Sequence, residues 1–316
     1  MSARQPMQQR STGRQPYRGR FAPSPTGPLH QGSLVSALAS YLDARAHHGQ
    51  WLIRIEDIDL PRTVPGAAQE IIRTLQGLGM QSDETPLWQS RRSADYRHAF
   101  GQLNADALLY PCRCSRREIA DALAFHPEHP PSFQYAGLCR SDDASKAGSS
   151  IAGKPPAWRL LTSQATESTI VEFDDRWCGP QKQDLAREVG DFVVKRADRL
   201  WAYQLAVVVD DAASRITHIV RGADLLDSTP RQIYLQRCLR LATPRYMHVP
   251  VLTNERGEKL SKQTEAPPID SHRPLVALRQ AAAHLGFDIN ADTIDNFYSR
   301  AIEAWKNRWA SVTRAP

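Results

Sequence analysis

A short segment that joins a strand to a helix through a glycine-containing turn constrains the fold of this chain most. Residues 21–33 read FAPSPTGPLHQGS, and apolar residues then recur at helical spacing over residues 34–45. This pattern predicts a helix that begins after the segment and ends at Gly49. Residues 51–55 predict a strand, and residues 65–78 predict a second helix. Strand, helix, strand and helix at this spacing indicate a parallel α/β sheet.

A second segment, residues 259–263, reads KLSKQ and carries chemistry that matches the first. On its own, a pair of lysines beside a hydroxyl is more often a solvated hairpin. Together the two segments indicate a site for the triphosphate of ATP. The predicted helix offers unpaired N–H groups to phosphate, and Gly32 lets the backbone approach it closely. His30 can donate to phosphoryl oxygens as charge builds on the reacting phosphorus.

The rest of the chain continues the α/β pattern after an interruption. Residues 205–209 are a continuous apolar run before two aspartates, which predicts a buried parallel strand. Residues 216–220 predict another strand. Helices are predicted over three further ranges, 230–241, 274–285 and 294–305.

The interruption, residues 110–187, is rich in proline, glycine, serine and cysteine and predicts an insertion. Within it, the thiols of Cys112, Cys114 and Cys139 can supply most of a tetrahedral zinc shell. The alternative is three buried, inert cysteines. The spacing leaves the fourth ligand open among four residues, Tyr135, Cys178, His126 and His129.

Bulk properties exclude several classes of protein. The hydrophobic fraction of 41% is ordinary, and no apolar run reaches the length of about 18–20 residues that spans a bilayer. Five cysteines, an odd number, argue against a disulfide framework, so we expect a cytoplasmic protein. A net charge of +6 is compatible with RNA as a partner. Residues 1–19 are basic and lack an apolar centre, which favours a disordered extension over a targeting peptide.

Residues 20–33 resemble the HIGH-type signature of class I aminoacyl-tRNA synthetases, in the form of the glutamyl branch, with Gln31 in place of the usual second residue. Residues 259–263 resemble the KMSKS-type loop, with Leu260 and Gln263 as departures that remove neither lysine. Similarity to the glutamyl branch continues in three further segments, 54–62, 207–211 and 219–224.

The resemblance implies a Rossmann-like parallel-sheet catalytic domain with a zinc-containing insertion and a short helical C-terminal extension. Its halves would be residues 20–109 and 188–265, with the insertion at 110–187 and the extension at 266–316.

The resemblance also implies site residues. Glutamate would be bound by Arg20, Phe21, Ala22, Pro23, Ser24, Glu56, Tyr203 and Arg221, with the two arginines as candidates for its side-chain carboxylate. ATP, with Mg²⁺, would be bound by His30, Gly32, Ser33, Lys259, Ser261 and Lys262, of which His30, Lys259 and Lys262 would be catalytic. One structural zinc ion would be held by Cys112, Cys114, Tyr135 and Cys139.

The chain after Lys262 is too short for the large anticodon-binding region of a glutamyl-tRNA synthetase. The resemblance is therefore to paralogues that lack this region. It implies a monomer that activates L-glutamate with ATP without tRNA and transfers it to queuosine at the wobble position of tRNA(Asp). Two alternatives remain: a truncated glutamyl-tRNA synthetase that charges a tRNA 3′ end, and a non-catalytic tRNA-binding paralogue.

Overall fold

The computed structural model describes residues 16–124, 135, 137–140, 155–162, 168–253 and 268–310. Their strands are β1 (Arg18–Phe21), β2 (Gln50–Ile55), β3 (Leu87–Trp88), β4 (Leu109–Cys112), β5 (Ala157–Leu160), β6 (Ile170–Asp175), β7 (Gly179–Asp184), β8 (Phe192–Lys195), β9 (His218–Gly222) and β10 (Arg245–Val249). Their α-helices are α1 (Gln31–Ala46), α2 (Ala67–Gly77), α3 (Ser93–Ala105), α4 (Arg116–Ala124), α5 (Leu185–Glu188), α6 (Tyr203–Ala213), α7 (Thr229–Cys238), α8 (Pro274–His284) and α9 (Ile294–Trp305).

The first sheet has the predicted parallel topology. Its order is β1-β2-β3, both pairs are parallel, and α1 connects β1 to β2. Helix α1 buries Leu34, Leu38 and Leu42 against this sheet, because residues spaced by four lie on one helix face. The predicted strand at 51–55 and the predicted helices after residue 33 and over 65–78 are confirmed to within a few residues.

Gly49 serves a close approach between chain segments. The helix ends at Ala46, and His48 turns the chain with φ 53°. A Cβ on Gly49 would lie 2.6 Å from the carbonyl oxygen of Tyr17, so a side chain there would push β2 away from the chain entering β1.

The second sheet has the order β7-β6-β10-β9, in which β6, β10 and β9 are parallel. The N–H of Thr217 donates to the carbonyl of Arg18 at 3.0 Å, which sets β9 beside β1. The carboxyl ends of β1, β2 and β9 therefore open at one edge, where ligands bind in sheets of this kind.

A third, antiparallel sheet has the order β4-β5-β8 and lies beside the cysteine cluster. It joins strands from the predicted insertion to Phe192–Lys195. The domain boundaries proposed from the sequence stay a prediction.

The prediction of a strand over 205–209 was wrong, because these residues lie in helix α6. Leu205, Ala206, Val207 and Val208 are all buried, and a run of buried apolar residues has no periodicity that separates a strand from a helix. Packing on all sides overrides the β preference of valine.

Helices α8 and α9 are confirmed where the sequence predicts them, and their apolar residues share one core with α1. Trp305 and Phe297 of α9 and Leu278 of α8 are fully buried there. Across the part of the chain that the structure describes, helices fall short of the length and apolar character required to cross a membrane.

Candidate active site

A cavity of about 490 Å³ opens at the carboxyl ends of β1, β2 and β9 and at the first turn of α1. It is lined by eleven of the residues expected to bind glutamate or ATP, namely Arg20, Phe21, Ala22, Pro23, Ser24, His30, Gly32, Ser33, Glu56, Tyr203 and Arg221. The other three expected residues, Lys259, Ser261 and Lys262, lie outside the described residues. At about 490 Å³ the cavity falls in the usual range of small-molecule sites.

His30 is the N-cap of α1, where the expected triphosphate site lies. Its Nδ1 accepts from the N–H of Ser33 at 3.3 Å, and its Nε2 lies 3.0 Å from Oγ of the same residue. The neighbouring Gln31 points away, because its side chain donates to the carbonyl of Ala277 at 2.8 Å. The substitution in the HIGH-type segment therefore falls on a residue whose side chain contacts α8.

Two buried arginines and two acids form a balanced cluster on one side of the cavity. Asp211 accepts from Nε of Arg20 at 2.9 Å and from Nη2 at 3.2 Å. Arg54 donates to Asp211 at 2.5 Å and to Glu56 at 3.1 Å. The N–H of Glu56 donates to the carbonyl of Pro23 at 3.0 Å, which holds this acid beside the loop after β1. The two positive and two negative charges cancel within the cluster.

Burial and charge shift the pKa values of these acids in opposite directions. Burial raises the pKa of Glu56 above its ordinary value, although Arg54 opposes this shift. Burial would also raise the pKa of Asp211, but Arg20 and Arg54 outweigh it and lower that pKa. Asp211 is therefore the firmly ionised acid, while Glu56 gains from a further positive group such as an ammonium.

Arg221 differs from Arg20, because its buried guanidinium hydrogen-bonds to uncharged groups among the described residues. Its Nε lies 3.0 Å from Nε2 of His248, and its Nη2 lies 2.8 Å from Oγ1 of Thr229. Its Nη1 donates to the hydroxyl of Tyr203 at 3.3 Å. A buried cation without an ionised partner favours a ligand carboxylate.

The cysteines of the predicted insertion come together. The sulfurs of Cys112, Cys114 and Cys139 all lie within 4.8 Å of one another. The hydroxyl of Tyr135 lies 3.3 Å from Sγ of Cys112 and 3.7 Å from Sγ of Cys114. Three thiols and a phenol in one tight group fit a tetrahedral zinc ion, for which Zn–S distances are about 2.3 Å.

Among the described residues, no other candidate for a fourth ligand reaches this group. Cys178 instead donates to the carbonyl of His248 at 3.4 Å. His126 and His129 lie outside the described residues.

Comparison with known proteins identifies the family. The family described as tRNA synthetases class I (E and Q), catalytic domain, matches residues 17–275. A glutamyl-Q tRNA(Asp) synthetase of Burkholderia cenocepacia is 59% identical over 298 residues, which cover 93% of this chain and 97% of the relative. One of Ralstonia nicotianae is 56% identical over 307 residues, which cover 96% and 95%. The chain belongs to the glutamyl-Q tRNA(Asp) synthetase family.

Solved structures agree with this family at the level of the fold. A glutamate tRNA ligase from Elizabethkingia meningosepticum, in complex with its amino acid, is 27% identical with a TM-score of 0.65. A glutamate-tRNA synthetase from Elizabethkingia anophelis is 22% identical with a TM-score of 0.71. The matches cover 79% and 92% of this chain but only 52% and 65% of those two structures. This member of the glutamyl-Q family therefore shares the fold of part of the longer enzymes.

Sequence reasoning assigned no role to several residues that hold the pocket together. Arg54 could have been found, since it lies two residues before Glu56 on the same strand face. Asp211 gave no local signal, because its partners Arg20 and Arg54 are 191 and 157 residues away in sequence. His248 and Thr229 gave no local signal, because they reach Arg221 across the sheet and from α7.

Proposed function

We propose that this chain activates L-glutamate with ATP in the absence of tRNA and then transfers the glutamyl group to queuosine in tRNA(Asp). The observation that carries the proposal is the identity of 56–59% to glutamyl-Q tRNA(Asp) synthetases over nearly their whole length. The cavity supports it, because it is lined by eleven of the fourteen residues that were expected to bind glutamate or ATP.

In the first step, an oxygen of the glutamate α-carboxylate attacks the α-phosphorus of ATP. The bond from that phosphorus to the bridging oxygen breaks, and pyrophosphate leaves glutamyl-adenylate behind. The protein positions both substrates and stabilises charge, so no covalent nucleophile is required. In the second step, a hydroxyl of the queuosine cyclopentenediol attacks the activated carbonyl. The bond from the carbonyl carbon to the phosphate oxygen breaks, the hydroxyl proton is released, and AMP leaves as the ester forms.

Charge and position suggest how glutamate binds. Arg221 binds the side-chain carboxylate, since its positive charge is not balanced by an acid among the described residues. The hydroxyl of Tyr203 donates a hydrogen bond to the same carboxylate. Glu56 accepts from the α-ammonium, and its buried carboxylate gains a positive partner. Arg20 and the segment Phe21–Ser24 line the remaining wall.

The first turn of α1 binds ATP. His30, the N–H group of Gly32 and the hydroxyl of Ser33 donate to phosphoryl oxygens. Lys259, Ser261 and Lys262 of the KLSKQ segment would bind the departing pyrophosphate, and Mg²⁺ would help to neutralise its charge. Lysine suits this role as a mobile point charge.

Zinc has a structural role in this proposal. Cys112, Cys114, Tyr135 and Cys139 would hold one zinc ion, and this coordination would fix Cys139 beside β4. The active form is a monomer that acts in the cytoplasm, where its tRNA substrate is found.

The test is glutamate-dependent ATP–pyrophosphate exchange without tRNA. Wild-type protein should show it, and Lys262→Ala should reduce it by at least about 100-fold, because one charge contact to the transition state is lost. Lys182→Ala is the control, since Lys182 pairs with Glu172 on an exposed hairpin and should leave the rate unchanged. Wild-type protein that exchanges pyrophosphate only when tRNA is present would contradict the proposal.

A further inference from the structure

A line of buried polar groups runs from β6 to the cavity and ends at Arg221. Oδ2 of Asp175 lies 2.7 Å from Nδ1 of His248, and Nε2 of His248 lies 3.0 Å from Nε of Arg221. The side chains of Asp175 and His248 are fully buried. His248 lies opposite Arg221 in the β10–β9 register, which sets the imidazole directly behind the guanidinium.

The partners of His248 fix its tautomer. Nε2 of His248 lies 3.0 Å from both Nε of Arg221 and Oγ1 of Thr229. A hydroxyl can donate or accept, whereas arginine has only N–H donors, so Nε2 accepts from Arg221 and carries no proton. The proton therefore sits on Nδ1 and is donated to Asp175. Burial and the charge of Arg221 lower the pKa of His248, although Asp175 opposes them, and the imidazole stays neutral.

Asp175 is anchored independently of the cavity. Its Oδ1 accepts from the backbone N–H groups of Trp177 at 3.0 Å, Cys178 at 2.8 Å and His248 at 3.1 Å. Burial would raise its pKa, but the hydrogen bonds from His248 and these backbone groups lower it to about 2. The acid is ionised and immobile, so it can orient the imidazole that in turn orients Arg221.

The neutral imidazole also separates two charges. Arg20 is paired directly with Asp211 through two hydrogen bonds, which neutralises its charge. Arg221 instead faces the uncharged edge of His248, and the carboxylate of Asp175 lies on the far side of the ring. The imidazole therefore holds Arg221 in place and leaves its positive charge for the cavity.

We propose that His248 and Asp175 are positioning residues that aim the guanidinium of Arg221 at the side-chain carboxylate of the amino acid and so favour glutamate over glutamine. The inference rests on the proposed function, because it takes glutamate as the ligand. A carboxylate accepts from Arg221 and Tyr203 with both oxygens, whereas an amide offers one oxygen and turns an N–H₂ group toward N–H donors. Such a mismatch of donors discriminates strongly between similar substrates.

Two substitutions of His248 separate its two ring nitrogens. In His248→Gln, the amide oxygen reaches the place of Nε2 and can still accept from Arg221. In His248→Asn, the amide reaches only the place of Nδ1, so Asp175 keeps a partner and Nε of Arg221 loses its acceptor. We expect His248→Asn to raise the KM for glutamate in pyrophosphate exchange by about 10- to 100-fold, as for the loss of a charge-assisted hydrogen bond.

His248→Gln should restore most of this loss, and the KM for ATP should change little in either variant. The preference for glutamate over glutamine, as a ratio of kcat/KM, should fall in His248→Asn. His218→Gln is the matched control, since His218 occupies the same strand pair three residues away and faces Arg245 in the register. It should keep the wild-type KM for glutamate.

Asp175→Asn changes the hydrogen-bond partner of Nδ1 and leaves the imidazole of His248 in the chain. The amide would donate to Nδ1 and move the imidazole proton to Nε2, where it faces Arg221. Nitrogen-15 NMR should report an Nδ1-protonated His248 in the wild type and an Nε2-protonated one in Asp175→Asn. An Nε2-protonated wild type would overturn the proposal whether or not the enzyme is active.

The outcomes distinguish this inference from the function on which it rests. Active wild-type protein with an unchanged glutamate KM in His248→Asn would overturn the positioning role alone. Equal losses in His248→Asn and His248→Gln, with both melting temperatures lowered, would reduce His248 to a structural residue and also overturn it. Wild-type protein without glutamate-dependent exchange would overturn the proposed function and, with it, glutamate as the ligand of Arg221.

Discussion

At the scale of single residues, Asp211 decides the charge balance of the cavity wall. It accepts from both Arg20 and Arg54, and all three side chains are almost completely buried. The pair Arg20 and Glu56 was predicted from the sequence, since both lie at strand ends in a recognisable segment. Asp211 was not, because its partners are 157 and 191 residues away in sequence.

Asp211→Asn should destabilise the fold by about 3–5 kcal/mol, because it leaves two buried arginines with only Glu56 as a counter-charge. Urea denaturation at neutral pH measures this loss. Asp174→Asn is the control, because Asp174 is exposed on the β6–β7 hairpin and should change stability by less than about 0.5 kcal/mol. Equal effects of the two substitutions would refute the balance described for the cluster.

At the level of elements, Asp191 holds the loop at 137–140, which contains Cys139, beside β8. Arg140, next to Cys139, donates to this carboxylate at 2.5 and 2.8 Å, and Tyr110 of β4 donates to it at 2.6 Å. Arg159 of β5 stacks over the ring of Tyr135 at 3.7 Å and donates to the carbonyl of Asp191 at 2.8 Å. The sequence predicted the cysteines, whose spacing is local, but not this support, which joins three strands.

Asp191→Asn should weaken zinc binding by about 10- to 100-fold, because it loosens Arg140 and hence the position of Cys139. Competition with a chromogenic chelator measures the affinity without reference to activity. Asp198→Asn, on an exposed turn, should leave zinc affinity unchanged. The same affinity in all three proteins would show that the loop holds its shape without Asp191.

A second feature of the elements is a group of packed rings at the start of β1. Tyr17 stacks on His218, with 4.1 Å between the ring centroids, and on His47, with 4.9 Å between the ring centroids. Burial lowers the pKa of His218 to about 3, helped by Arg176 and opposed by Asp43. Unfolded histidine titrates near pH 6.5, so only the unfolded chain takes up this proton as the pH falls through that value.

Folding stability should therefore fall as the pH drops from about 6.5 toward 3, because His218 favours the folded state only while it is neutral. Between pH 7 and pH 5.5 we expect the wild type to lose about 1 kcal/mol more than His218→Gln. Urea denaturation of both proteins at the two pH values gives the comparison. Parallel pH profiles would exclude His218 as the source.

The element predictions succeeded where apolar residues recur at helical spacing and failed at a continuous apolar run. Helices α1 and α9 show apolar residues at helical spacing, and both were predicted. Helix α6 is buried on most sides, and its valines indicated a strand instead. The periodicity of apolar residues in a sequence indicates which face of an element is buried. A continuous apolar run has no such periodicity and therefore does not separate a helix from a strand.

At the scale of the whole molecule, Asp43 joins distant parts of the chain. Its carboxylate accepts from Tyr17 at 2.6 Å, from Arg176 at 2.6 and 2.9 Å, and from the indole of Trp305 at 2.9 Å. The sequence predicted α9 but not its docking on α1, because Trp305 lies 262 residues from Asp43. Such pairings carry no periodic signal.

Trp305→Phe should destabilise the protein by about 2 kcal/mol, because a buried carboxylate loses a hydrogen-bond donor. Trp309→Phe is the matched control, since the N–H of Trp309 has no hydrogen-bond partner among the described residues. Both variants should unfold in one transition, because α9 shares its core with α1. An early separate transition in Trp305→Phe would contradict a single core.

Transfer of radiolabelled glutamate identifies the tRNA that accepts the glutamyl group. The assay contains ATP and one of three substrates: tRNA(Asp) with queuosine, tRNA(Asp) without it, or tRNA(Glu). We expect label on the queuosine-containing tRNA(Asp) alone. Label on tRNA(Glu), or equal label on both forms of tRNA(Asp), would contradict it.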